Sequence, residues 1–248
     1  MGWGHAETTG IPNIDAYLSC RHFEPTNGQD YYSEKLIELD RINNFYDRPR
    51  DDFKTVTRSE LGLSEEGRIY LCPQSAFKYH PDFDAALREI LSRDQEGWVV
   101  LSEGTDPSWN ELLLTRWKES IPNHSGRLKL LKRVEPDQFR GLISLADVMI
   151  DPIHFTGGHT IYMAFSVGTP VITWDGLQMS GRMTQGLYKQ MGMNGPVAQS
   201  PEEFAELAVN IATNAERLRS ISAEILEKSS ALFCDLQAVR EFENALMK

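Results

Sequence analysis

Two short stretches of this chain hold residue types that could do chemistry together. One is "CPQSAFKYHP", with Gln74 and Lys78; the other is "DPIHFTGGHT", with Gly157, Gly158, His159 and Thr160. Paired glycines let backbone approach a ligand closely, and a helix starting beside them offers free N–H groups and a positive dipole end. Thr160 adds a hydroxyl, Lys78 a point charge and Gln74 an amide that can orient a phosphate. With no acid between them, the set has the profile of a diphosphate site. Simpler readings exist for each member. Gly-Gly can be a turn device, Thr160 a helix cap, Lys78 a solvated charge and His159 a helix-start residue.

Other chemistries fit less well. The turn after the first strand of the repeating pattern lacks G-x-G-x-x-G, and no P-loop or G-x-S-x-G elbow occurs. Glu103 could imitate a ribose-binding acid, but without the glycines that signal is weak. Asp82 and Asp84 form a D-x-D in the first turn of a helix, where acids favour the dipole. His154 and His159 lie across a turn without a carboxylate at helical spacing, so no zinc site is expected.

These stretches need elements to position them. From Arg68 onward, apolar strands alternate with helical patterns: "RIYLCPQ", "PDFDAALREILSRD", "GWVVLSEG", "SWNELLLTRWKES", "RLKLLKRV", "PDQFRGLISLAD", "VMIDP", a helix from Gly158, "TPVITWDG", "SGRMTQGLYKQMG" and "GPVAQS". In "SPEEFAELAVNIATN", Ser200 and Glu203 stand at capping-box spacing, and a further helical run reaches the end. Alternation of this kind predicts an α/β fold, a doubly wound and mostly parallel sheet with helices on both faces. In a 3-2-1-4-5-6 order the first and fourth strands are neighbours, and ligands sit beyond their carboxyl ends. That topology brings Gln74 and Lys78 to Gly157–Thr160. The expected divisions are 1–65, polar and turn-rich with one clear strand, "IDAYLSC"; 66–213, the Rossmann-like unit; and 214–248, a helical segment.

The 248 residues are 41% hydrophobic and 25% charged, as in an ordinary globular protein. A formal charge of −11 argues against nucleic acid or an anionic membrane as partner, while leaving room for one basic pocket. No apolar run approaches the roughly 20 residues of a membrane span, and no signal peptide is evident. Cys20, Cys72 and Cys234 have no metal-ligand spacing and fit a reducing cytoplasm.

"CPQSAFKYHPDFDAALREIL", "LADVMIDPIHFTGGHTIYMAFSVGTPVIT" and "GRMTQGLYKQMGM" resemble the carboxyl-terminal half of the O-linked N-acetylglucosamine transferase and SPINDLY-like glycosyltransferases (GT41-like). The likeness is nearest to bacterial members carrying tetratricopeptide repeats. "WGHAETTGIPNIDAYLSC", "YYSEKLIEL" and "SSALFCDLQAVREFENAL" also match family segments, so the resemblance covers nearly the whole chain. It implies the carboxyl-terminal lobe of a GT-B fold, with residues 1–65 as a remnant of the first lobe and its crossover. It implies transfer of a sugar, N-acetylglucosamine or a hexose, from a UDP-sugar to a protein hydroxyl or amide, with no metal or other cofactor. Carried over by position, Gln74 and Lys78 touch the donor, and Lys78 stabilises the leaving diphosphate. Gly157, Gly158, His159 and Thr160 hold phosphate. Arg182 matches a recurrent arginine and is counted with the donor-binding residues, and His5, near sugar and acceptor, is counted with Lys78 as catalytic.

Three departures stand out. Family members commonly keep a second hydroxyl and then an acid, where this chain has Ile161 and Ala164. The usual "GHP" reads "GHA" at Ala6. The proposed acid/base residues of the first lobe have no counterpart, which makes the chain a fragment, a split gene product or a degenerate relative. The expected partners are therefore a nucleotide sugar, a polypeptide acceptor, and either a first-lobe chain or a second copy. The alternative to an enzyme is a non-catalytic nucleotide-sugar binding module. The base loop "RVEPDQF" offers Glu135, Asp137 and Gln138 without a readable pattern.

Overall fold

The strands are short apolar runs buried on both faces, as a parallel sheet covered by helices requires. A computed structural model describes residues 4–247. Its main sheet contains β3 (Ile69–Cys72), β4 (Trp98–Ser102), β5 (Leu128–Leu131), β6 (Val148–Ile150), β7 (Val171–Trp174) and β8 (Val197–Ala198). All pairings are parallel, in the order β5-β4-β3-β6-β7-β8. Relative to β3 this is the 3-2-1-4-5-6 order expected above, and the fold is α/β and Rossmann-like.

Alternate residues of each strand feed opposite faces. Tyr70, Cys72, Val99, Leu101, Val148, Ile150, Ile172 and Trp174 meet α1 (Phe83–Arg93), α2 (Pro107–Ser120) and α6 (Pro201–Thr213). Leu71, Val100, Met149 and Val171 meet α3 (Pro136–Leu145), α4 (His159–Ser166), α5 (Met183–Gln190) and α7 (Ala215–Lys228). Local signals set several boundaries. Asp106 caps α2 before Pro107, and Ser200 caps α6 by accepting from the Glu203 N–H at 3.2 Å. Glu203 reaches back to the Gln199 N–H at 2.8 Å, one residue before the expected box partner.

Two features differ from the sequence expectation. A second strand, β2 (Lys35–Leu39), pairs in parallel with β1 (Ala16–Cys20). Its Lys and Glu leave only Leu39 fully buried, which hid its pattern. The terminal helical run is broken after α7 by a 3-10 turn, Ser229–Leu232, and resumes as α8 (Leu236–Leu246). Cys234 has φ of 52°, left-handed backbone that no helix continues through, and Asp235 then caps α8 by accepting from the N–H groups of Gln237 and Ala238. The β1–β2 segment is not a separate body: Tyr17, Cys20, Phe23 and Ile42 share one apolar cluster with Leu71, Met149 and Phe165. No helix among the described residues is long and apolar enough to cross a membrane.

Candidate functional site

The loops after β3 and β6 meet beyond the carboxyl ends of these adjacent strands. The Gln74 Nε2 donates to Thr160 Oγ1 at 2.6 Å, and Lys78 Nζ donates to the Thr156 carbonyl at 2.8 Å. A longer Lys78 contact, 3.4 Å, reaches Gln74 Oε1. The three side chains thus form one oriented series, ammonium to amide to hydroxyl. Because Thr160 Oγ1 accepts from Gln74, its own proton is left to donate outward. An ammonium has three donors, and the two used here leave a third for a ligand.

Lys78 is half-buried over the Phe155 ring, with Nζ 4.2 Å from the centroid. Burial lowers its pKa, and the Asp151 carboxylate works against that shift. A bound anion would act in the same direction as Asp151 and favour the charged amine. Asp151 ends β6 completely buried. Its Oδ1 accepts from the Gly157 N–H at 3.0 Å, and its Oδ2 from Thr173 at 3.0 Å and from Thr184. Burial pushes its pKa up to about 6, against the lowering effect of these donors and of Lys78. Asp151 thereby fixes the glycine turn from beneath. Thr156 fixes it from the side, with N–H and hydroxyl both donating to the Ser180 carbonyl at 2.8 and 3.1 Å.

Gly157 is required by space. A Cβ there would come within 2.5 Å of Gln74 Nε2 and 2.6 Å of Thr160 Oγ1, splitting the series. Gly158 opens α4, and no side chain caps the helix. The Ile161 N–H turns back to the Gly158 carbonyl at 3.0 Å, and the N–H groups of His159 and Thr160 before it have no intrahelical acceptor and can meet a ligand. His159 is exposed at this start, its ring 5.4 Å from that of Tyr46, and partial burial lowers its pKa. The outcome is a neutral-to-positive cluster of Lys78, Gln74, Thr160 and helix-start amides.

Other expected residues sit differently. The Arg182 guanidinium is buried: Nε donates to the Phe23 carbonyl at 2.9 Å, and one terminal nitrogen to Asp175 at 2.5 Å and the Gly176 carbonyl at 2.8 Å. It ties α5 to the segment after β1, and its charge is matched by Asp175. His5 is exposed, with Nδ1 3.1 Å from the Glu7 carbonyl. Its own carbonyl accepts from Tyr17, whose hydroxyl also lies 3.7 Å from Met179 Sδ. Met179 precedes Ser180, so His5 is anchored on the same side of the sheet as the cradle. Ile161 and Ala164 are fully buried and face the core, while the half-buried residue between them on α4 is Met163. Sequence reasoning passed over Asp151, Thr156 and Thr184. An Asp closing an otherwise apolar strand was the available signal for the first.

A cleft of about 470 Å³ opens at the ends of β4 and β5, lined by Glu103, Lys129, Arg133, Glu135 and Gln138 among others. It includes the base loop noted in the sequence. Two strand spacings separate β5 from β3, about 10 Å, a distance that a nucleoside diphosphate covers.

The signature of glycosyl transferase family 41 matches residues 41–242. The chain belongs to this family. Among curated relatives, the probable UDP-N-acetylglucosamine–peptide N-acetylglucosaminyltransferase SEC of Arabidopsis thaliana is 26% identical over 244 residues, covering 94% of this chain and 24% of that protein. The corresponding SPINDLY protein of Petunia hybrida is 30% identical over 251 residues, covering 94% and 25%. This family 41 chain thus spans about a quarter of the length of the curated relatives it matches. Among solved structures, a mutant O-GlcNAc transferase of Thermobaculum terrenum superposes with a TM-score of 0.82 at 21% identity, over 98% of this chain and 46% of that one. Anabaena HepE in complex with UDP-glucose gives 0.60 at 15% identity, over 94% and 64%. These likenesses establish the fold.

Proposed function

We propose that this family 41 domain binds a UDP-sugar and supports transfer of its sugar, N-acetylglucosamine or a hexose, to a hydroxyl or amide of a polypeptide. The observation that carries the reading is the Lys78–Gln74–Thr160 series laid across the uncapped start of α4. The diphosphate sits on that series, and the base occupies the cleft at the end of β5. In the reaction, the bond between the anomeric carbon and the β-phosphate oxygen breaks as an acceptor oxygen or nitrogen attacks. The leaving diphosphate gains negative charge, which Lys78, the Thr160 hydroxyl and the helix-start N–H groups stabilise without reorganising. Gln74 orients the series, and His5 stands on the sugar and acceptor side. Residues 66–213 form the donor-binding unit, with 1–65 and 214–248 packed on it.

A non-catalytic nucleotide-sugar module is the second reading. Ala164 supports it, standing where the family commonly keeps an acid, because α4 carries no carboxylate to hold a ribose. Calorimetric titration of UDP and UDP-N-acetylglucosamine tests both. We expect micromolar-to-millimolar binding of UDP, weakened roughly tenfold by Lys78→Ala through loss of one charge-assisted contact. Absence of binding to either nucleotide overturns the donor site. Binding without glycosylation of any acceptor peptide, in the presence of all chains of the assembly, favours the module.

A further inference from the structure

The same two loops that build the cradle bring together a second group of side chains. His80 stands two residues after Lys78, Asp82 two further on, and His154 two before Thr156. One ligand atom from each lies within 4.8 Å of the others, and all three residues are exposed. Asp82 Oδ2 is the centre: His154 Nε2 is 2.8 Å away and His80 Nδ1 3.3 Å. The two imidazoles meet edge to face, with centroids 4.8 Å apart.

Three observations distinguish this from a chance surface cluster. Asp82 occupies the N-cap position of α1, yet its carboxylate makes no capping bond and turns to the histidines instead. His154 is held at φ 73°, a left-handed conformation costly for a residue with a Cβ, and this carries its ring across to Asp82. Among the described residues no lysine or arginine pairs with Asp82; its ion-pair partners are the two histidines. Nδ1 of His80 accepts the Asp82 N–H at 3.2 Å, which sets this nitrogen as the unprotonated one of the ring, and a metal ion would take its lone pair in place of that N–H. At 2.8 Å the His154 Nε2 proton is donated to Asp82, and a divalent ion that displaces this proton meets two imidazoles and a carboxylate with no fixed cation among them.

We propose that His80, Asp82 and His154 bind a divalent transition-metal ion of the zinc class. Two imidazoles and a carboxylate suit Zn²⁺, Ni²⁺ or Cu²⁺ rather than Mg²⁺ or Ca²⁺. A tetrahedral zinc sphere needs ligand atoms about 3.3 Å apart, which small rotations of exposed side chains provide from the present spacing. Water fills the remaining position. The ion links the loop carrying Lys78 to the loop carrying Gly157 and Thr160, so it clasps the two sides of the cradle. The inference stands on these ligands alone and does not depend on the identity of any nucleotide.

Titration of Zn²⁺ by calorimetry, and of Co²⁺ by visible absorption, tests it on the whole chain after chelator treatment. A Cys234→Ser background removes the exposed thiol as a competing ligand. We expect one equivalent bound at micromolar strength, with nitrogen and oxygen ligation in the Co²⁺ spectrum. His80→Ala, Asp82→Asn and His154→Ala should each weaken binding by roughly tenfold or more, and His124→Ala should not. Circular dichroism identifies any variant that has lost its fold. No binding tighter than millimolar, or undiminished binding in folded His80→Ala and His154→Ala chains, overturns the proposal.

Discussion

Asp151 shows how far a single side chain can govern this site. Its carboxyl is completely buried, and its pKa is raised from the ordinary range to about 6. The folded chain therefore holds this proton more tightly than the unfolded chain, whose Asp titrates near 4. The stability associated with the protonated group is fully present below about 4 and is lost as pH rises through about 6. The full difference is about 3 kcal/mol by order of magnitude. Asp151→Asn should remove the dependence, because the Thr173 and Thr184 hydroxyls can accept from an amide as readily as they donate to a carboxylate. Urea unfolding from pH 4 to 7 should show the wild type losing stability relative to this variant; parallel curves would contradict the assignment. Gln74, Lys78 and Gly157–Thr160 were legible in the sequence because strand order alone forces them together. Asp82 was not legible, since its partner His154 lies 72 residues away. Arg182, counted with the donor-binding residues from its place in the sequence, also bridges Phe23 and Asp175, contacts that no local pattern announces.

At the level of elements, the cradle depends on how firmly α1 is held, because α1 follows the Lys78 loop. Asp84 in its first turn does more than complement the helix dipole. It receives two bonds from Arg116 at 2.9 Å, one from Trp117 Nε1 at 3.1 Å and one from Ser120 at 2.8 Å, clamping α1 to α2. Asp84→Ala would leave the Trp117 and Ser120 donors and a partly buried guanidinium without their acceptor. A loss of about 2–3 kcal/mol is expected. The measure is the shift in urea midpoint at unchanged denaturant slope, and a loss below about 1 kcal/mol would show that the clamp is dispensable. Strands and helices of the main sheet were readable because hydrophobic period and turn residues agree there. β2 and the break before α8 were not: the first is half-exposed, and the second is set by the backbone of Cys234 rather than by a proline or glycine.

The whole molecule behaves as one packing unit despite its two sheets. Phe23 lies where a Cβ on Gly186 of α5 would be 2.4 Å away, so the first segment and the main unit interlock without a gap. One apolar cluster joins Tyr17, Phe23 and Ile42 to Leu71, Met149 and Phe165. Thermal unfolding followed by near-ultraviolet and far-ultraviolet dichroism should therefore give coincident curves with one midpoint. Two separated transitions would mean that residues 1–65 melt independently. The sequence division at residue 65 marked a change of composition, and the shared cluster runs across it.

The order of the strands also bears on how the protein comes off the ribosome. β3 lies at the middle of the sheet but is translated before its five companions, and β4 and β5 then extend it to one edge. The other half begins only when β6 returns to pair with β3. Until Val148–Ile150 and the following α4 have emerged, the nascent chain carries Lys78 and Gln74 with nothing facing them, and one side of β3 is an unpaired edge. Completion of the cradle and sealing of that edge are the same event, so a chain stalled before residue 160 has neither.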